Sequence, residues 1–172
     1  VENGVLISED DGKTYNRHAG PFITIKGTTG RRWAWTEPTI VALPGNRLAM
    51  LLRVCGSGRL WRSDSNDGGH TWTEAVMTDI PNPANKPKLI GLPDGRIALI
   101  HTPNNQCGFE YRNPLSIWVS ENQMADWQHK HIVTDFPGAF CYPDGIFEAD
   151  HQHIIFTIEY NRHDILYIEC VL

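Results

Sequence analysis

At 172 residues with 41% hydrophobic side chains, the chain is long enough for one modest domain with a real core. A formal net charge of −5 and a pI near 5.9 argue against a nucleic-acid or anionic-membrane surface, while leaving room for a local basic pocket. No apolar run approaches the roughly 20 residues of a membrane helix, no signal peptide is visible, and six Trp, 15 Gly and 11 Pro suit many short strands and turns.

In chain order, residues 4–8 read as a short strand that runs into Ser8-Glu9-Asp10-Asp11-Gly12-Lys13-Thr14-Tyr15. Residues 16–36 read as irregular and hold the cluster Arg31-Arg32-Trp33-Ala34-Trp35. A hairpin follows, with strands at 38–43 and 48–54 about the turn Pro44-Gly45-Asn46. A third strand at 59–63 leads into Ser65-Asn66-Asp67-Gly68-Gly69-His70-Thr71-Trp72, and a fourth is expected at 71–76. The order restarts at Pro87, with strands at 89–92, 97–100 and 115–119, a turn at Pro93-Asp94-Gly95 and a loop over 103–113. It restarts again at Pro143, with strands at 145–147, 154–158 and 165–171 and a turn around Asp150. No stretch carries a convincing period of 3.6.

The segments 8–15 and 65–72 share the pattern Ser-x-Asp-x-Gly-x-Thr-aromatic, and 120–127 keeps its outline as Ser120-Glu121-Asn122-Gln123-Met124-Ala125-Asp126-Trp127. Tyr15 to Trp72 is 57 residues and Trp72 to Trp127 is 55. A fixed period of this length indicates stacked copies of one unit too small to bury its own apolar face. In each copy the Asp carboxylate can accept neighbouring backbone N–H bonds, Gly supplies the positive φ of a tight turn, and the aromatic residue packs the hairpin onto its neighbour. Four-stranded units in series are blades of a β-propeller. The expected fold is therefore all-β, a single partial propeller over residues 1–172 with about three blades. A closed ring takes 4 to 8 blades, so the others are expected in a longer parent or a second chain. The start at Val1 rather than Met is what a processed or excised chain would show.

Aligned on their prolines, the repeats place Glu37, Lys86 and Tyr142 at one position, immediately before Pro38, Pro87 and Pro143. That position opens the innermost strand, where side chains face the central axis. A carboxylate and a phenol around one pocket make a candidate acid–base or nucleophile pair. Arg53, after the run Leu48–Leu52, and Arg112, before Asn113-Pro114-Leu115, could clamp a planar anion from different blades. Trp33 and Trp35 could wall the pocket or cap a blade, and Glu159 takes roughly the place of Arg53 in the last blade, where it could pair with an arginine. The structural alternatives are a core aromatic for Tyr142, a solvated carboxylate for Glu37, a buried ion pair for Arg53 and a surface cation for Arg112. Asp10, Asp67 and the glycines of the repeated turns read as structural. His129 and His131, like His151 and His153, alternate at strand spacing and have no third ligand, so they read as exposed strand positions and no metal site is expected. Cys55, Cys107, Cys141 and Cys170 lack metal spacing; buried thiols and one or two disulfides both fit.

The repeated Asp-boxes, Thr36-Glu37-Pro38, Arg53 sixteen residues on, Arg112-Asn113-Pro114 and Tyr142-Pro143-Asp144 together resemble the sialidases (neuraminidases), in the C-terminal half of their six-bladed propeller. The resemblance covers nearly the whole chain, and its ordered set Glu, Arg, Arg, Tyr is far more specific than the Asp-box alone. It implies Tyr142 as the nucleophile of a retaining mechanism, Glu37 as the base that draws the phenol's proton, and Arg53 and Arg112 as two of three arginines on the substrate carboxylate. Lys86, Trp35 and Glu159 would line the pocket. The implied substrate is a sialylated or otherwise acidic glycan, with no cofactor, and a secreted or periplasmic setting. No segment matches the family's first arginine or its acid/base aspartate, so the chain by itself is expected to be inactive and to need the N-terminal blades. The second class of function is a non-catalytic propeller that binds glycan or protein.

Overall fold

The computed structural model describes residues 2–22, 37–149 and 152–171, and all the regular structure in it is strand apart from one 3₁₀ turn at Phe109–Tyr111. The first sheet pairs β1 (Glu2–Ile7) with β2 (Asn16–Phe22). The second sets β3 (Pro38–Leu43), β4 (Arg47–Arg53), β5 (Arg59–Ser65) and β6 (Val76–Pro81) side by side in sequence order. The third repeats that order with β7 (Lys88–Gly91), β8 (Ile97–His101), β9 (Ser116–Ser120) and β10 (His129–Ile132). The fourth holds β11 (Phe140–Glu148), β12 (His153–Tyr160) and β13 (Asp164–Val171). All pairings are antiparallel, so two blades are whole, one shows two strands and one shows three.

Several boundaries differ from the sequence reading. Residues 16–22, expected to be irregular, form β2, which is held by backbone pairing to β1 although most of its side chains face solvent. The strand expected at 71–76 begins only at Val76, because Thr71 and Trp72 still belong to the box turn. β11 starts at Phe140 rather than 145, and β9 at Ser116, which leaves Arg112 at the end of the 3₁₀ turn instead of on the strand. The turn at Asp150, together with His151, Trp33 and Trp35, lies outside the described residues. Each of the four cysteines is a free thiol, and only Cys141 is buried.

The core lies between blades rather than within them. The middle strands are apolar on both faces because each face meets a different neighbour. Along β4, Ala49 and Leu51 join Leu99, Ile97 and Trp127 of the third sheet, while Met50 and Leu52 turn the other way toward Val5 and Trp72. Along β8, Ile97 and Leu99 face the second sheet, and Ala98 and Ile100 meet Ile154, Phe156 and Ile158 of the fourth. Each of these buried Leu, Ile and Met side chains contributes about 1.5–3 kcal/mol. Their alternation is what sets the blades face to face.

The three box turns close on the same bonds. In the second, the Ser65 hydroxyl donates to Asp67 Oδ1 at 2.8 Å and accepts Gly69 N–H at 2.9 Å, and Thr71 gives its N–H and hydroxyl to the Asp67 carboxylate at 2.9 and 2.6 Å. The first box matches it through Ser8, Asp10, Gly12 and Thr14. The worn third box keeps the frame, with Asn122 Oδ1 accepting Ser120 Oγ–H and Asp126 N–H at 3.0 Å each.

Candidate functional site

The opposite ends of the blades meet where the inner strands β3, β7 and β11 lie next to one another. Thr39 of β3 accepts Leu89 N–H of β7 at 3.0 Å. Asn85, just before β7, donates to Phe140 O of β11 at 2.6 Å and to Thr102 at 3.1 Å. Lys88 Nζ reaches Asp144 at 2.6 Å, and that bond, with Lys86 adding to it, holds the Asp144 carboxyl below its ordinary range even though burial pulls the other way. The three segments that carry Glu37, Lys86 and Tyr142 are thereby tied together.

Glu37 and Arg53 form a direct ion pair, Nη1 to Oε2, at 2.5 Å. The pairing of β3 with β4 explains it: Pro38 stands opposite Leu52, so the next pair outward is Glu37 and Arg53. The Arg53 side chain is only 11% exposed, and its other terminal nitrogen points at Cys55 Sγ, 3.6 Å away. Burial works against the guanidinium charge, but Glu37 and Cys55 outweigh it and hold Arg53 above its usual value. Among the described residues Glu37 Oε1 carries no hydrogen bond, so one carboxylate oxygen stays open.

Tyr142 sits on a bulge. The register of β11 against β12 shifts between Cys141 and Asp144, and Tyr142 adopts φ 53. A positive φ at a bulky aromatic residue costs on the order of 1–3 kcal/mol and re-aims the side chain relative to a regular strand. The side chain is partly open, and no hydrogen bond joins it to Glu37 among the described residues. Beside it, Arg112 is buried, donating from Nη1 to Cys141 Sγ at 3.1 Å and from Nη2 to Ala84 O at 2.9 Å. Glu159 stands opposite Cys141 on β12, and among the described residues its Oε1 is buried without a hydrogen-bond partner, as are Arg53 Nε and Arg112 Nε. Lys86 is half-buried and has no direct ion pair among the described residues.

Two nodes result. One is Glu37 with Arg53; the other is Arg112 with Cys141, next in sequence to Tyr142, and with Glu159 opposite Cys141, and Lys86 lies on the segment between them. Cys55 and Cys141, each on an arginine, were not singled out from the sequence; the only signal was their place, two residues after Arg53 and one before Tyr142. Among the described residues no three of His, Cys, Asp and Glu gather as a cation site.

The family model described as the BNR repeat-like domain matches residues 3–154. The chain belongs to the BNR repeat-like family. This BNR repeat-like chain is also similar in fold to solved sialidases. The NanB sialidase of Streptococcus pneumoniae superposes with a TM-score of 0.77 at 24% identity, over 99% of this chain and 27% of that one. The intramolecular trans-sialidase of Ruminococcus gnavus gives 0.74 at 23% identity over 98% of this chain and 38% of that one, and the Trypanosoma rangeli sialidase gives 0.68 at 19% over 96% and 26%. The chain thus spans well under half the length of each. No curated protein matches its sequence. The fold is that of a sialidase-type propeller with part of its blades in this chain.

Proposed function

We propose that the BNR repeat-like chain is the C-terminal half of a sialidase-like glycoside hydrolase that removes terminal sialic acid, or a related acidic sugar, by a retaining mechanism. The observation that supports this reading is the strained backbone of Tyr142, next in sequence to the Cys141 that Arg112 contacts, at the same end of the blades as the Glu37–Arg53 pair. A substrate with a carboxylate at its anomeric carbon repels an anionic nucleophile. A neutral phenol avoids that repulsion, but with an ordinary pKa near 10 it needs a base. Among the described residues Glu37 keeps one oxygen without a hydrogen bond, which could take the phenol's proton while Arg53 holds the other. In the first step the phenol oxygen bonds to the anomeric carbon, the glycosidic bond breaks and the leaving oxygen takes a proton from an acid in the N-terminal blades. In the second, water replaces the phenol and the phenol regains its proton. Arg53 and Arg112 hold the substrate carboxylate. For Arg112 this requires a turn away from Cys141 or Ala84, to which it now donates.

The inward bonds of Arg112 favour a second reading, a propeller that keeps the scaffold and binds glycan or protein without hydrolysis. The two separate in a protein carrying the complete propeller. Release of fluorophore from a fluorogenic sialoside is expected, and is expected to vanish in Tyr142→Phe and Arg53→Ala. Turnover at the parent's rate in both variants would remove the assignment, and glycan binding without any turnover would favour the second reading.

A further inference from the structure

The turn between β12 and β13, Asn161-Arg162, takes no part in the chemistry above, yet its geometry is unusual. Both residues have positive φ, 53 and 62. Asn and Gly tolerate that region readily, but an arginine there is strained. The turn is also locked to the strand that carries Tyr142: Asn161 N–H donates to Ala139 O at 2.9 Å, and Ala139 N–H donates to Asn161 Oδ1 at 2.8 Å. Behind it the Tyr160 ring packs against Phe140 and its hydroxyl donates to Pro137 O.

This fixed turn holds an exposed arginine against the candidate site. The Arg162 guanidinium carbon lies 5.0 Å from the centre of the Phe109 ring, and the Arg112 guanidinium carbon lies 5.6 Å from the same centre. One half-buried ring thus carries two cations, one buried beside Tyr142 and one in solvent. Among the described residues Arg162 has no carboxylate partner. The neighbouring acid, Glu110, folds back over Gly108. A stacked and strained cation beside Arg112, with no carboxylate partner among the described residues, is poised for an anion that comes from outside the chain.

We propose that Phe109 and Arg162 form a second anion subsite next to the sugar held by Arg112, so that the preferred ligand is doubly acidic: a terminal acidic sugar attached to a unit bearing a further carboxylate or sulfate. This rests on the proposed function for the first sugar, and it names Arg162 as a specificity-determining residue. The test uses the complete propeller, parent and Arg162→Gly, because glycine deletes the cation and also relieves the positive φ, so a loss cannot be blamed on strain. Two matched glycans are compared, a sialoside on a neutral unit and the same sialoside on a sulfated or sialylated unit, by dissociation constant and by kcat/KM. In Arg162→Gly the doubly acidic ligand is expected to weaken by about two- to fivefold, as for an ion pair at an exposed site, with the neutral one unchanged. Arg162→Lys is expected to recover part of the preference. Equal weakening of both ligands, or of neither, overturns the subsite. If the preference appears in binding while no glycan is hydrolysed, the subsite stands and the hydrolase reading falls; if neither glycan binds, both fall. Comparing the sulfated with the sialylated ligand then tells which acid the subsite takes.

Discussion

The two ends of the blades are built on opposite rules. At the box end, the side-chain oxygens of Ser65, Asp67 and Thr71 all have partners, and the same holds for Ser8, Asp10 and Thr14. At the hub end, Arg53 Nε, Asn85 Oδ1, Arg112 Nε and Glu159 Oε1 are buried without one among the described residues, and Tyr142 occupies a strained backbone. Buried polar groups are normally satisfied, so these four exceptions fit the binding role proposed for that end. The same contrast explains why a worn box survives. Asn122 replaces the carboxylate and Asp126 the threonine, yet an amide oxygen accepts the same N–H, so the turn keeps its shape. On the proposed function, no such substitution is open to the phenol of Tyr142.

The largest stability effect is expected at the satisfied end. Ser65→Ala removes at once the acceptor for the buried Gly69 N–H and the donor to Asp67, and should cost about 1–3 kcal/mol in chemical denaturation. Ser120→Ala removes the matching bonds to Met124 N–H and Asn122 and should cost about as much. Neither should alter hydrolysis in the complete propeller. A negligible cost at Ser120 beside a full cost at Ser65 would mean the third box is shaped by its blade and not by its own bonds.

At the hub end the sign should reverse. Glu159→Met replaces a buried carboxylate oxygen that lacks a donor with an apolar chain of similar length, and should leave this chain unchanged or stabilise it by about 1 kcal/mol. In the complete propeller the same change should weaken activity if Glu159 lines the proposed pocket, where it could pair with an arginine. A stability loss in the isolated chain, measured by the same denaturation, would place Glu159 with the scaffold and blur the contrast.

What could be read from the residues follows the same division. The boxes were legible because their chemistry lies within eight consecutive residues, and the proline repeats gave the order of the inner strands. The Glu37–Arg53 contact could be inferred once the hairpin was counted, since its turn fixes the register. β2 was harder to read: Asn16–Phe22 buries little and is held by backbone pairing that no side-chain pattern reports, whereas the alternation of His129 and His131 already pointed to the exposed strand β10. The bulge at Tyr142 depends on how β11 meets β12, and the bond from Arg112 to Cys141 spans 29 residues, so neither has a local signature. The four cysteines gave no decision for the same reason.

Acid sharpens the comparison through the smallest effect. Asp10 and Asp67 are each held down to about 2 from 3.8, first by the Thr14 or Thr71 hydroxyl, then by that residue's backbone N–H. A carboxyl whose folded value is depressed contributes stability that is present above its unfolded value and is lost as pH falls through the folded one. The loss from these two boxes therefore belongs between about pH 4 and pH 2, and at neutral pH the contribution is flat. Asp67→Asn copies the arrangement of Asn122 and should remove its share of that slope, with little change in the fold at neutral pH. Thermal midpoints of parent and variant measured from pH 6 down to pH 2 should converge as the parent loses its advantage. Parallel curves would mean that the Asp67 charge contributes nothing beyond the acceptor oxygen, and that first, second and third boxes are equivalent devices.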